Sequence, residues 1–230
     1  MKVLVTGASN GIGLAIVKKF LNAGHEVVGL DKQPSDDVQV NYSLCDVQAK
    51  YSHFVCDVRG ELPEIDGVNV VITCAGIQSP EEETIDVNLN GTMRVVEKYA
   101  FSNSIKSVLT IASASGRNGA EFPMYTASKG GVIAYTKNVA LRLAKYGATA
   151  NSISPGGVKT HLNDVIMNNE KLWQAVLDES LLGKWAEPEE IAEWAYFLTV
   201  VNKSMTGEDL LIDNGEMLKS NFIWPEEKTL

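Results

Sequence analysis

The first thirty-one residues constrain the fold more than any other segment. KVLVTG (Lys2–Gly7) is a short β-rich run ending in glycine. Ile12, Ala15, Ile16, Lys19 and Phe20 then recur at helical spacing over Ile12–Asn22, and EVVGLD (Glu26–Asp31) is a second apolar run. Strand, glycines, helix and strand in that order make a crossover unit, which obliges its two strands to lie parallel. Further strand-length runs follow: HFVCDV (His53–Val58), VNVVITCAG (Val68–Gly76), SVLTIAS (Ser107–Ser113), ATANSISPG (Ala148–Gly156) and DLLID (Asp209–Asp213). Helical patterns at Thr84–Phe101, Met124–Tyr146 and Pro188–Val201 fill most of the gaps. The runs are apolar on both faces, as parallel strands covered on each side must be. An α/β fold with a doubly wound, seven-stranded parallel sheet is expected.

The third strand has two candidate ends, because Cys-Asp-Val occurs at Cys45–Val47 and again at Cys56–Val58. The second follows His53, Phe54 and Val55, a better β run than Tyr42-Ser43-Leu44, and is preferred. Only Arg59–Gly67 then joins strand three to strand four. In strand order 3-2-1-4 those ends lie about 14 Å apart laterally, and the chain must also return a strand length. Nine helical residues rise only about 13 Å, so the link is expected to be mostly extended. Gly76 to Asn88 is similarly short for a full helix.

At 230 residues, with no repeat, low-complexity tract or Pro/Gly linker, the chain reads as one domain, 1–230. Lys and Arg total 20 against 29 for Asp and Glu, a net charge of -9 that repels phosphate backbones and anionic lipid heads. Neither nucleic acid nor a membrane is expected as a partner. No apolar run approaches the ~20 residues that span a bilayer, and MKVLVTGASNG does not read as a signal peptide. Cys45, Cys56 and Cys74 are odd in number and lack C-x-x-C spacing, which suits reduced thiols and a cytoplasmic location. His25, His53 and His161 lie in unrelated segments, so no metal site is expected.

Between the first strand and its helix stands Thr6-Gly7-Ala8-Ser9-Asn10-Gly11-Ile12-Gly13. Glycines there let the backbone turn tightly and approach a pyrophosphate, while the helix N-terminus offers unpaired N–H groups. Gly7, Ser9, Asn10, Gly11, Ile12 and Gly13 are the candidate phosphate loop of a Rossmann dinucleotide site. Asp31 ends the second strand, 18 positions after Gly13. A carboxylate there accepts both hydroxyls of an adenosine ribose and repels a 2′-phosphate. NAD is therefore favoured over NADP, with Lys32 the one neighbouring charge that partly offsets the repulsion.

Tyr125 and Lys129, in MYTASKGG, are four apart and share one helix face. A phenol titrates near ~10, and a neighbouring ammonium favours its phenolate. The pair is a candidate proton-transfer group.

With these motifs in order, the chain resembles the short-chain dehydrogenase/reductase family from end to end. TGASNGIG is similar to its nucleotide loop and Asp57-Val58 to its adenine contact. Asn88 in VNLNG matches its helix asparagine, and Ser113 in IASASG its catalytic serine. NSISPG (Asn151–Gly156) is similar to its nicotinamide-side loop, which carries Pro155, Gly156, Val158 and Thr160. WAEPEEIAEWAYFLT and MTGEDLLIDNG resemble its last helix and strand.

The resemblance implies the strand order 3-2-1-4-5-6-7 and hydride transfer between NAD(H) and a secondary alcohol or ketone. Tyr125 would exchange the proton, and Lys129 would hold the nicotinamide ribose and depress the phenol's pKa. Ser113 would polarise the reacting oxygen, with Ser115 as its understudy. Asn88 would distort its helix and hold a water that passes the proton on. A homodimer or homotetramer is implied as well. Where the family reads Asn-Asn-Ala-Gly, this chain has Thr73-Cys74-Ala75-Gly76; the backbone approach of Cys74, Ala75 and Gly76 to the cofactor is kept. Thr73 is expected to replace part of the lost hydrogen bonding, and Cys74 is expected to be a bland buried thiol rather than a redox-sensitive one.

Residues 157–187 form the variable lid, where Leu162, Val165, Ile166, Leu172, Trp173, Val176 and Leu177 follow helical spacing; a flap over the substrate and a surface helix are equally good readings. His161 is expected to be solvated. In the tail, residues 216–230, Phe222, Ile223 and Trp224 are costly to expose, and docking near a substrate mouth is expected. Two other readings are kept. A 3-oxoacyl-carrier-protein reductase needs basic residues at its mouth and usually NADPH, whereas Arg59, Arg94, Arg117 and Arg142 are the sequence's arginines. A non-catalytic dinucleotide sensor would not need the tyrosine, lysine and serine all in place.

Overall fold

In a computed structural model, which describes residues 1–35 and 50–218, β1 (Lys2–Thr6) stands between β2 (Glu26–Asp31) and β4 (Val70–Thr73). β3 (Tyr51–Val55) flanks β2, while β5 (Ser107–Ile111), β6 (Thr149–Pro155) and β7 (Asp209–Ile212) continue past β4. All pairs are parallel and the order is β3-β2-β1-β4-β5-β6-β7, as expected. The chain reverses its direction of winding at β1/β4, and this opens a crevice at the strands' carboxyl ends.

The side chains of β1 alternate between two layers. Val3 and Val5 pack with Ile16 and Phe20 of α1 (Gly11–Asn22) on one face. Leu4 packs on the other with Val95 and Val96 and with Val139 and Leu143 of α4 (Pro123–Leu143). α2 runs as Glu83–Ile85, a π-helical stretch Asp86–Gly91, then Thr92–Tyr99. α3 (Ser115–Asn118) precedes α4, α5 (Asp164–Met167) and α6 (Glu170–Asp178) follow β6, and α7 (Pro188–Tyr196) packs on α1 and continues as a π-helical stretch Phe197–Val201. Each fully buried aliphatic side chain contributes about 1.5–3 kcal/mol of transfer free energy.

Two expectations are corrected at β3. The strand starts before His53 and ends at Val55 rather than Val58. Tyr51 belongs to it because its hydroxyl meets His53 Nδ1 at 3.0 Å, and Lys50 O accepts from Val27 N. Its end is set by Asp57, whose carboxylate accepts from Arg59 N (2.9 Å) and turns the chain. The alternative at Cys45–Val47 lies outside the described residues. The link after Gly60 is extended up to β4, held by Lys98 Nζ on Leu62 O (2.7 Å) and Tyr99 Oη on Pro63 O (2.6 Å).

The lid segment forms two short helices, and Leu162, Ile166 and Val176 of its apolar pattern line the cleft. Asn169 breaks the pattern by capping α6, its Oδ1 accepting from Leu172 N. Trp173 packs edge-on against Trp185, while Val165 and Leu172 of the apolar stripe face solvent. Beyond β7, Glu216–Leu218 form a single 3₁₀ turn; Phe222, Ile223 and Trp224 lie outside the described residues.

Candidate active site

One cleft of roughly 1180 Å³ opens at the carboxyl ends of the strands. Its nucleotide end is main chain. Gly7 takes φ +68°, and a Cβ on it would stand 2.8 Å from Ala75 N. A Cβ on Gly13 would collide with the Gly7 carbonyl oxygen, so α1 reaches the strand this closely only through glycine. Asn10 is the N-cap of α1 but makes no capping bond, leaving the first-turn N–H groups to a ligand; its Nδ2 donates to Gln33 Oε1 instead. These residues and Gly11, Ile12, Asp31, Asp57 and Val58 line the cleft.

Ser9 does not line it. Its N–H donates to Asp31 Oδ2 (3.0 Å) and its Oγ to Gln33 O, so it braces the acidic residue from behind. Asp31 Oδ1 accepts from Gln33 N (2.9 Å), and each oxygen keeps a lone pair toward the cleft side. A diol would fit there. Asp57 is held by the Arg59 guanidinium, which keeps its carboxyl below the usual range.

At the middle, Cys74 N and Ala75 N both donate to Thr6 Oγ1, each at 3.1 Å. The expected substitute for the lost amides is not Thr73: its buried Oγ1 has no partner among the described residues, the hydroxyls of its sheet neighbours being engaged elsewhere, Thr6 Oγ1 by Cys74 N and Ala75 N and Thr110 Oγ1 by Thr136 Oγ1. Burial pushes the Cys74 thiol up to about 12, which favours its neutral form.

The far end holds Ser113, at the end of β5, and Tyr125 and Lys129 on α4. The Ser113 hydroxyl acts on Tyr125 to lower its pKa. Lys129 is 6% exposed, donates to Ile111 O at 2.9 Å and lies 5.7 Å from the Tyr125 ring centroid. Burial lowers its pKa to about 8. The expected depression of the phenol is reversed: burial raises Tyr125 to about 12, outweighing the Ser113 hydrogen bond. Desolvation in the narrow cleft penalises phenolate more than the neighbouring groups favour it.

Asn88 sits in the π-helical stretch of α2, matching the expected distortion, but behind the cleft. Its Oδ1 accepts from Ile77 N (2.8 Å), and its Nδ2 donates to Ile77 O (2.9 Å) and Ser128 Oγ (3.1 Å). The side chain ties the Ile77 loop to α4, with both amide donors spent. Pro155, Gly156, Val158 and Thr160 close the near wall with Cys74, Ala75 and Gly76 opposite.

Several lining residues had no sequence signal. Glu121, four before the tyrosine, takes φ +72°, and its Oε1 accepts from Ser115 Oγ at 2.6 Å. Gln78 Nε2 donates to its other oxygen. Glu216 accepts from Gly157 N, and burial pushes its carboxyl up. His161 lines the rim with its side chain 87% exposed, solvated as expected. Among the described residues no group of His, Cys, Asp or Glu is arranged to hold a metal ion, and no helix is long and apolar enough to cross a membrane.

Known proteins place this geometry. The family described as enoyl-(acyl carrier protein) reductase matches residues 7–216. The chain is a short-chain dehydrogenase/reductase. It is 32% identical to L-fucose dehydrogenase of Bos taurus over 94% of this chain and 89% of that one. It is 30% identical to 3-oxoacyl-[acyl-carrier-protein] reductase of Chlamydia pneumoniae, over 93% of this chain and 96% of that one. A solved structure from Agrobacterium tumefaciens, described as a 2-deoxy-d-gluconate 3-dehydrogenase with bound NADP, superposes with a TM-score of 0.83 at 27% identity, covering 95% of this chain and 96% of that one. As a member of this family the chain is an oxidoreductase that binds a nicotinamide dinucleotide.

Proposed function

We propose that this short-chain dehydrogenase/reductase interconverts a secondary alcohol and its ketone with NAD(H). One juxtaposition carries the reading: Tyr125, Ser113 and Lys129 meet at one end of a cleft whose other end is the glycine cradle and Asp31. The residues fit a dinucleotide, since Asn10 leaves the first-turn N–H groups of α1 uncapped, Gly7 and Gly13 let α1 press close against the strand ends, and the Asp31 oxygens are braced for hydroxyl donors. When bound, the nicotinamide supplies the hydride or accepts it. Asp31 and the first turn of α1 would hold the adenosine end, and Lys129 the ribose nearest the reacting carbon.

Tyr125 passes the proton to or from the substrate oxygen. Raised to about 12, the Tyr125 phenol is fully protonated at neutral pH in the ligand-free protein, and proton exchange in either direction is helped as its pKa falls toward neutrality when the site is loaded. Ser113 orients the reacting oxygen, and Asn88 holds the Ile77 loop and α4 at fixed spacing. Asp31 supports NAD over NADP by repelling a 2′-phosphate. The chain works as a homo-oligomer, a reading supported by exposed Trp194, Phe197 and Val201, and in the cytoplasm, a reading supported by its free cysteines.

The relatives favour a second reading, reduction of a carrier-bound 3-oxoacyl group. Against it, the substrate end of the cleft carries Glu121, Asp178, Glu179 and Glu216, a poor surface for a phosphate-bearing arm. A panel of alcohols and ketones, L-fucose and an acetoacetyl thioester among them, read by NADH and NADPH absorbance, separates the two. Turnover with NADH on a free alcohol or ketone, abolished by Tyr125→Phe with NADH binding retained, is the expected result. Retained turnover in Tyr125→Phe overturns the assignment.

A further inference from the structure

Ser113 is the first member of a hydrogen-bonded chain that leads away from Tyr125. Ser113 Oγ donates to Ser115 Oγ (3.2 Å), Ser115 N donates back to Ser113 Oγ (3.2 Å), and Ser115 Oγ donates to Glu121 Oε1 (2.6 Å). Ser115 is 3% exposed, so its hydroxyl has little water to turn to. Glu121 is brought there by a turn: Gly119 at φ +80° and then Glu121 itself at φ +72°, in the left-handed region that a non-glycine side chain occupies only at a cost. Such a conformation persists where surrounding contacts over-determine it. Here Gln78 holds the second carboxylate oxygen and Ser115 the first.

The direction of the chain follows from chemistry. An ionised carboxylate only accepts, so Ser115 must spend its single proton on Glu121. Its oxygen is then a standing acceptor for the Ser113 proton. A neutral substrate oxygen competes with that acceptor on equal terms. An oxygen gaining negative charge competes better, because hydrogen bonds to ionised acceptors are roughly twice as strong as neutral ones. Ser113 would thus turn its proton to the reacting oxygen chiefly as charge develops there, an interaction stronger in the transition state than in the ground state.

We propose that Glu121 is a positioning residue for this reaction, acting through Ser115 to fix the direction of the Ser113 hydroxyl. Glu121 lines the cleft wall, and the role assigned to it is exerted through Ser115. The proposal rests on the Tyr125 reading given above, and its effect belongs in kcat rather than KM.

The test is a double-mutant cycle, Ser115→Ala, Glu121→Ala and the pair, with Glu121→Gln as the conservative variant. The alcohol or ketone turned over fastest in the panel is the probe. Each single alanine variant is expected to lose about tenfold or more in kcat with KM little moved, and the pair to lose no more than either. Glu121→Gln keeps an acceptor for Ser115, with Gln78 free to flip its amide, and should recover most of the loss. A second readout needs no turnover: the ring signal of Tyr125 in protein carrying carbon-13-labelled tyrosine, assigned with Tyr125→Phe. It should shift alike in Ser115→Ala, Glu121→Ala and the pair, and less in Glu121→Gln. Additive losses, or a Tyr125 signal that ignores Glu121→Ala, overturn the proposal. If the wild-type protein turns over nothing in the panel, the functional reading fails while the Tyr125 signal still decides the hydrogen-bonded chain.

Discussion

The two ends of the cleft are built from different materials. The nucleotide end is main chain: glycines pressed against a neighbouring strand, free N–H groups at the start of α1, and Asp31 clamped by backbone donors from Ser9 and Gln33. The catalytic end is side chain: two serines, a tyrosine, a lysine and a glutamate, most of them buried and each oriented by the next. Steric fit governs the first and desolvation governs the second. Substitutions should therefore fail in different ways at the two ends.

The largest expected effect is steric. Gly13→Ala puts a methyl into the Gly7 carbonyl and should destabilise the fold by about 3 kcal/mol or more, with dinucleotide binding lost. Thermal unfolding and NADH fluorescence titration measure both. A variant that keeps full affinity would break the contrast.

Lys129→Met should do the reverse at the other end, abolishing turnover while stabilising the ligand-free protein. Lys129 falls from 10.5 to about 8 on folding, so the unfolded chain binds the extra proton between those values. Stability contributed through this group therefore rises with pH from about 8 to 10.5, and the burial penalty is present in full below 8. At neutral pH it amounts to about 3 kcal/mol at most. Tyr125 opposes this only above pH 10, where its raised pKa makes stability fall as pH climbs toward 12. The melting temperature of Lys129→Met should exceed the wild type at pH 7, and the gap should narrow by pH 9.5.

Asp31→Ser is a smaller, electrostatic change on the main-chain side. It should shift the NADPH-to-NADH preference by about tenfold through relief of charge repulsion, read as the ratio of the two kcat/KM values. Smallest is Thr73→Val, which replaces a buried hydroxyl lacking a partner among the described residues with a methyl of similar size. It should raise stability by about 1 kcal/mol or less, measurable in denaturant.

The same contrast explains what could be read from the residues alone. The parallel strands and the cradle were legible because glycine spacing and two-sided apolar runs are local patterns with one geometric meaning, whereas the strand order came from the family resemblance. The extended link from Arg59 followed from length alone. The end of β3 was misplaced because Asp57 and Arg59 stop it with a side-chain turn that hydrophobicity does not report. The lid was read as one pattern although Asn168-Asn169 divides it. Glu121 escaped notice because its role depends on a left-handed turn that carries it back over Ser115. The Gly119 before it was the available hint. Tyr125 and Lys129 were found by spacing, but the sign of the phenol's shift was not, because spacing counts neighbours and omits desolvation.

The extended link has a further consequence. Lacking a crossover helix, the segment before β4 is fastened by Lys98 and Tyr99, at the end of the helix whose middle carries Asn88 and, through it, the Ile77 loop and α4. One helix thus fastens the segment that leads into β4, the strand before Cys74 to Gly76, and holds the floor of the catalytic end. The amide protons of α2 should therefore exchange with solvent in a single cooperative opening, and that opening would dismantle both ends of the cleft together.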